Sequence, residues 1–371
     1  MDHGGSPSTA DGTPDATDEH GGGVVAAGLA PLVTVAIPTY RRPDLLKGAI
    51  DSALAQTYRT MEILVSDSAG SDTVADLVAG YGDPRLRYRR NDRPTSGLEN
   101  ALAMYRDARG ELIATLHDDD VWEPGFLEAM VKPLVADPTV VLAFADHWVM
   151  DSEGNLLASK TESNTRQRGR AGLAAGRHQP FTRLALVDRA VFFVAATVFR
   201  NGLIDWDDVP PEVEPPYEVW MTYLASRDGA AAYYVPERLM RYRLHGEAAS
   251  ETRLERPAVW TYDQIVLDHR LADLKPDILR ASAPFRASLG LSLLAEGDVD
   301  EARKHLWQGL RAGAWLHAGA GLGISALPAP VRAAAIKRLR SGTRRRRSHD
   351  AVAGGWRERL VRRRDHLDAR A

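Results

Sequence analysis

The chain has 371 residues, 44% hydrophobic and 26% charged, with a formal net charge of −3 and no cysteine. That length holds one large domain or two ordinary ones, and the composition is that of a soluble globular protein. The lack of cysteine excludes disulfides, thiolate metal sites and a cysteine nucleophile together, and the near-neutral charge gives no overall pull toward nucleic acid or an anionic membrane.

The first thirty residues are rich in Gly, Asp, Ser, Thr and Pro and lack the basic start and apolar core of a signal peptide. They predict a disordered leader. From Pro31 short apolar runs alternate with helical periodicity. LVTVAI (32–37) predicts a buried strand, and Leu45, Leu46, Ala49, Ile50, Ala53 and Leu54 share one face of the helix after it. EILVS (62–66), LRYRR (86–90) and ELIATLH (111–117) predict three more strands, with helices in DTVADLVAGY and SGLENALAMYRDA between them. Such alternation predicts an α/β fold, a mostly parallel, doubly wound sheet with helices on both faces.

Ligands gather at the carboxyl ends of strands in such sheets. There PTY (38–40) arrives from the first strand, Asp67 from the second, and Asp118, Asp119 and Asp120 from the strand ending at His117, just before a further helix. Three consecutive carboxylates repel, and either bulk water or a bound cation relieves them.

DSEGN (151–155) predicts a turn, 159–179 is polar and irregular, and RAVFFVAATVFR (189–200) is a buried segment returning toward the crevice. PPYEVWMTYLASR (215–227) places Glu218 at the start of a helix, where an acid can also serve simply to stabilise the helix dipole. Residues 286–313 predict two helices joined at EGD, with Leu289, Leu291, Leu293 and Leu294 facing Ala302, Leu306 and Leu310. Residues 312–331 carry no formal charge over nearly the ~20 residues a membrane crossing needs. They are mostly Ala and Gly, broken by His317, Ser325, Pro328 and Pro330, and predict a weakly apolar helix followed by a linker. Eight basic residues and no acid follow over 332–347, a pattern compatible with a peripheral membrane contact. No nucleic-acid recognition motif accompanies the arginines.

The stretches VTVAIPTYRRPDLLKGAIDSALAQTY, EILVSDSAGSDTVADLVAGYGDPRLRY and GLENALAMYRDARGELIATLHDDDVWEPGFLEAM, in that order and spacing, resemble the family 2 glycosyltransferases with the GT-A fold. The resemblance covers about 31–250 and is closest up to Asp151. It implies an inverting, metal-dependent enzyme that moves a sugar from a UDP- or dTDP-linked donor to an acceptor hydroxyl on a polysaccharide, a lipid-linked glycan or a small metabolite. By position, the resemblance makes Asp119 and Asp120 ligands of Mg²⁺ or Mn²⁺, with Asp118 on the donor ribose or the metal. Asp67 matches the reader of the base N3–H that uracil and thymine share. Pro38, Thr39 and Tyr40 match the base-stacking segment, Asn100 lies in the helix under the donor, and His245 matches a residue that completes the metal or diphosphate contacts. Arg241 and Arg243 are candidates for neutralising phosphate. His117 stands where many relatives carry a carboxylate and is itself a candidate ligand. Inversion needs a general base. Glu218 is the leading candidate, Glu214 the second and Asp207 or Asp208 outsiders, since Pro216 occupies the position where many relatives have Asp.

The implied organisation is a leader (1–30), a GT-A domain (31–250) with its nucleotide-binding half over 31–150 and its acceptor half over 151–250, a helical extension (251–335) and a partly disordered basic tail (336–371). The hairpin in the extension resembles a single tetratricopeptide-type repeat, too little for a solenoid, and is a candidate oligomer contact. The expected location is cytoplasmic, with the tail a candidate contact to the inner membrane face, and no nucleic-acid partner is expected. Two other readings stay in view. Nucleotidyl transfer on a related scaffold usually needs a Gly-rich loop where this chain has PTYRRPD. The other is a non-catalytic nucleotide-sugar-binding scaffold working through its tail.

Overall fold

Period-two alternation along the first strands divides their side chains between two cores. In the computed structural model, which describes residues 1, 30–191, 195–214, 217–244, 255–336 and 338, these strands form one edge of a single sheet. His245 and nearly all of the expected leader and basic tail lie outside the described residues. Every element below belongs to the unit that begins at Pro31.

The first elements follow the expected order: β1 (Val33–Thr39), α1 (Pro43–Leu54), β2 (Met61–Asp67), α2 (Asp72–Gly80), β3 (Leu86–Arg90), α3 (Gly97–Arg106) and β4 (Leu112–Thr115). β1 pairs in parallel with β2 on one side and β4 on the other, and β2 with β3. The register sets Thr39 beside Asp67 and Ala36 beside Thr115, so three carboxyl ends finish together. β4 ends two residues before His117, although Leu116 still donates to the Ala36 carbonyl at 2.9 Å. Between the acids and the next helix the chain inserts β5 (Val121–Trp122), and α4 (Phe126–Ala136) starts after it.

Next come β6 (Val140–Met150), α5 (Ala158–Gln167), β7 (Gly176–His178), α6 (Thr182–Leu186), β8 (Thr197–Arg200), α7 (Tyr217–Ser226) and β9 (Ala231–Arg243). β8 lies antiparallel between β4 and β6, and β5 and β7 pair antiparallel with β9. The strand order is β3-β2-β1-β4-β8-β6-β9-β5. The parallel half is thus β3-β2-β1-β4, and the sheet as a whole is mixed. Ala36, Leu64 and Ile113 face one core with Leu98, Ala101, Met104 and Tyr105 of α3. Val35, Ile37, Ile63, Val65 and Ala114 face the other with Leu46, Ala49, Ile50 and Ala53 of α1 and Phe126 and Met130 of α4.

The rest is helical: α8 (Glu255–Ile265), a 3-10 turn over His269–Leu274, α9 (Lys275–Glu296), α10 (Val299–Arg311) and α11 (Trp315–Ser325). The join between α9 and α10 falls at Gly297, as the EGD triplet predicts; its φ of 93° is a left-handed cap that glycine adopts without strain. Ile278 near the start of α9 belongs to the α3-side core, whereas Leu289, Leu291, Leu293 and Leu294 form a third core with Ala302 and Leu306. Every residue from Leu289 to Leu294 is buried, so this part of α9 is covered all round. Leu306 is received by two glycines: a Cβ on Gly290 or on Gly321 would stand 2.5 Å from its side chain. Among the described residues no helix is long and apolar enough to cross a membrane.

Candidate functional site

The aligned ends of β1 and β4 carry the acid loop. Thr39, buried at the end of β1, donates its hydroxyl to Asp118 Oδ2 at 2.8 Å. Arg42, immediately before α1, donates to Asp119 Oδ2 at 3.1 Å and lies 3.6 Å from Asp118 Oδ1. From the far side Arg243, the last residue of β9, donates its backbone N–H to Asp120 Oδ1 at 2.9 Å and its Nε–H to the Asp119 carbonyl at 2.8 Å. Its guanidinium also reaches the carbonyls of Asp151 and Ser152. The loop is therefore clamped by Arg42 on the carboxylates of Asp118 and Asp119 and by Arg243 on the Asp120 carboxylate and the Asp119 carbonyl.

The clamp leaves charge unquenched. Burial and the neighbouring Asp119 push the Asp118 carboxyl above its ordinary range, against the Thr39 hydroxyl and Arg42. Burial, again followed by Asp119, pushes Asp120 well above it. Asp120 is fully buried, and its Oδ2 has no hydrogen-bond partner among the described residues. A buried polar oxygen left unsatisfied is costly, and an ion is one explanation. His117 Nδ1 lies 3.9 Å from that oxygen, and His117, Asp119 and Asp120 each offer one ligand atom, all within 4.8 Å of one another. Two hard carboxylate oxygens and an imidazole fit a small divalent cation such as Mg²⁺ or Mn²⁺.

The other expected donor residues surround the loop in different states. Asp67 is fully buried at the end of β2. Its Oδ1 accepts from the Ala69 N–H at 2.8 Å, and its Oδ2 from the Ser71 N–H at 2.6 Å and the Tyr88 hydroxyl at 3.2 Å. Its carboxylate shapes the turn over 68–71. Asn100 is buried too, but Ser96 is the N-cap of α3, so Asn100 is no cap. Its amide joins α3 to β2 and the end of β3, accepting from Ser66 Oγ at 2.7 Å and Asn91 Nδ2 at 2.8 Å and donating to the Ser66 carbonyl at 3.0 Å. Pro38 is half-buried. Tyr40 stands at the rim, 49% exposed, with the Arg41 guanidinium 5.2 Å from its ring centre. Arg41 holds a φ of 55°, a left-handed conformation that costs a non-glycine residue about 1 kcal/mol or more.

The four candidate bases separate by what they touch. Glu214 Oε1 accepts the Leu98 N–H at 3.0 Å, so it caps α3. Asp207 pairs with Arg106 at 2.7 Å and Asp208 with Arg227 at 3.4 Å. Glu218, in the first turn of α7, lines a cavity with Thr222 of the same helix, Tyr262 of α8, and Arg168 and Arg189. Arg241 pairs with Glu123 at 2.7 Å. Sequence reasoning missed Arg42, Arg168, Arg189 and Tyr262 as members of either cluster. Arg42 lies inside the PTYRRPD motif and was within reach; the other three share no motif.

Over residues 34–192 the chain matches the family described as glycosyl transferase family 2. It is 25% identical over 240 residues to an uncharacterised glycosyltransferase of Rickettsia typhi, covering 62% of this chain and 71% of that one. Among solved structures it resembles S. aureus TarS 1-349 in complex with UDP-GlcNAc, with a TM-score of 0.58 at 12% identity over 84% of this chain and 92% of that one. It also resembles the mannosyltransferase PcManGT from Pyrobaculum calidifontis in complex with GDP-Man and Mn²⁺, with a TM-score of 0.50 at 19% identity over 88% of each chain. At these identities the two structures speak for the fold alone, and it is the GT-A fold that the sequence implied.

Proposed function

Because the chain belongs to the family 2 glycosyltransferases and is an enzyme of that class, we propose that it moves a sugar, with inversion, from a UDP- or dTDP-linked donor to an acceptor hydroxyl, with a divalent cation at His117, Asp119 and Asp120. The observation that carries this reading is the buried, partnerless Oδ2 of Asp120 at the point where three strand ends converge. The nucleotide-sugar complexes of the two structural relatives support a nucleotide-linked donor, and the Mn²⁺ of one supports a cation.

The residues divide the work. Thr39 and Arg42 orient Asp118 and Asp119 toward the crevice. A divalent cation, when bound, neutralises the negative charge that builds on the departing diphosphate. Tyr40 offers its exposed ring to the base. Asp67, whose oxygens already hold backbone N–H groups, fixes the turn beneath the base, and a donor N3–H would have to share one of them. Asn100 holds α3 under the donor, and His245 would add to the diphosphate contacts. Glu218 takes the proton from the attacking hydroxyl, since Glu214 is engaged in capping α3 and the other two acids in ion pairs.

Melting temperature measured with UDP, dTDP, GDP and CMP, each with Mn²⁺ or Mg²⁺ and again with EDTA, tests the reading. A ligand that binds the native state raises it by mass action. A rise with UDP or dTDP that EDTA removes is the expected result. No rise with any nucleotide would overturn the donor site.

A further inference from the structure

The cavity beside Glu218 holds a second set of like charges, opposite in sign to the acids. Arg168 follows α5, Arg189 precedes the segment leading to β8, and both line the cavity. The Arg189 charge, then burial, lowers the Arg168 guanidinium from its ordinary range to about 9. Nearby Arg170 shows how this chain neutralises a buried arginine: its Nε lies 2.9 Å from Asp146 Oδ1, and its other nitrogens bond Ala190 O and Asn164 Oδ1. No carboxylate among the described residues reaches ion-pair distance of Arg168 or Arg189. Glu218 faces the same cavity without doing so, and Arg189 rests on the Phe285 ring at 5.5 Å.

Two independent features point to a missing ligand. Tyr262, 1% exposed, lines the cavity, and its hydroxyl has no hydrogen-bond partner among the described residues. Arg189 holds a φ of 57°, and Arg41 is the only other non-glycine residue with positive φ among those described. Strain of this kind persists where the surroundings impose it, often at binding sites. Two guanidiniums are donors only and carry positive charge, and the phenol O–H can donate as well, so the ligand that satisfies all three is an acceptor with negative charge. The cavity volume of about 60 Å³ exceeds the roughly 10–15 Å³ one water needs on the same measure. It has room for a small charged head group.

We propose that this cavity is the subsite for an oxyanion, a phosphate or a carboxylate, carried by the acceptor, so that the acceptor of this transferase is negatively charged. Assigning the oxyanion to the acceptor rests on Glu218 being the base; the binding of an oxyanion does not.

The test is calorimetric titration of the full chain, in EDTA and without nucleotide, with inorganic phosphate and separately with acetate, in wild type, Arg168→Gln, Arg189→Gln and Tyr262→Phe. Phosphate or acetate should bind at one site, and the stronger of the two names the oxyanion. Each arginine substitution should weaken binding about tenfold or more, and Tyr262→Phe several-fold. Removing one of two like charges relieves repulsion, so Arg168→Gln without ligand should melt no lower than wild type. The rise in melting temperature with UDP and Mn²⁺ should be the same in all four proteins. Undiminished binding in the arginine variants, no binding in wild type, or a lower melting temperature for Arg168→Gln would overturn the subsite. Loss of the UDP response in wild type, with phosphate binding intact, would overturn the donor reading and leave the subsite standing.

Discussion

The acid loop at 117–120 and the arginine pair at 168 and 189 both hold like charges together, and they differ in how much of that charge the chain itself answers. Around the acids, Thr39, Arg42 and Arg243 supply hydrogen bonds and opposite charge, leaving one oxygen of Asp120 over. Around the arginines the described chain supplies an aromatic face and a tyrosine without a partner. The loop is thus nearly complete before anything binds, whereas the cavity is incomplete without its anion. A site of the first kind holds its geometry when empty; one of the second kind gains order from its ligand.

The comparison breaks most sharply at Asp119. Asp119→Ala should cut sugar transfer by roughly 10²–10³, the scale for losing a group that stabilises developing charge, measured as kcat with a UDP- or dTDP-sugar. An unchanged rate and unchanged nucleotide affinity would move the site elsewhere. Tyr40→Ala should weaken nucleotide binding about tenfold, since stacking of a base on an aromatic ring contributes about 1–3 kcal/mol; titration with UDP reads it.

His147 sharpens the basic side. Burial, then the charges of Arg170, Arg168 and Arg238, hold its imidazole well below 6.5, so it is neutral in the folded chain. Its contribution to stability is complete above pH 6.5 and is lost as the pH falls toward its folded value. The slope should be at most about 1.4 kcal/mol per pH unit, and denaturant midpoints for His147→Gln should show it flattened. The smallest effect is expected at Asp120. Its raised pKa means that the ionised form destabilises the folded chain at neutral pH. Asp120→Asn in EDTA should therefore melt about 2 °C higher, the shift for roughly 1 kcal/mol in a chain of this kind, and should lose any response to Mn²⁺.

The parallel half of the fold was legible because its side chains obey simple periods: Val35 and Ile37 against Ala36, or Leu46, Ala49, Ile50 and Ala53. The acids were legible because a strand end next to a carboxylate run is a local pattern. α5 was not, since its buried residues are two threonines, Thr161 and Thr165, and it has no apolar face to read. β8 joining antiparallel between β4 and β6 was equally hidden, because pairing partners are set by tertiary packing. Asp67 shows a further limit: its place at the crevice follows from sequence, but its two hydrogen bonds to the turn at 69–71 depend on the path of the backbone. Arg168, Arg189 and Tyr262 come from three distant segments, and no spacing relates them.

α9 places Ile278 in the α3-side core and Leu289 to Leu294 in the helical one. A helix shared in this way makes the transferase fold and the extension partners in one cooperative unfolding event, since neither core can lose its share of α9 while the other stays whole. Anyone trimming the protein to a minimal enzyme by cutting ahead of α8 would take Tyr262 and Ile278 out of the α3-side core along with the extension. The shortest version that keeps its own interior ends beyond α9.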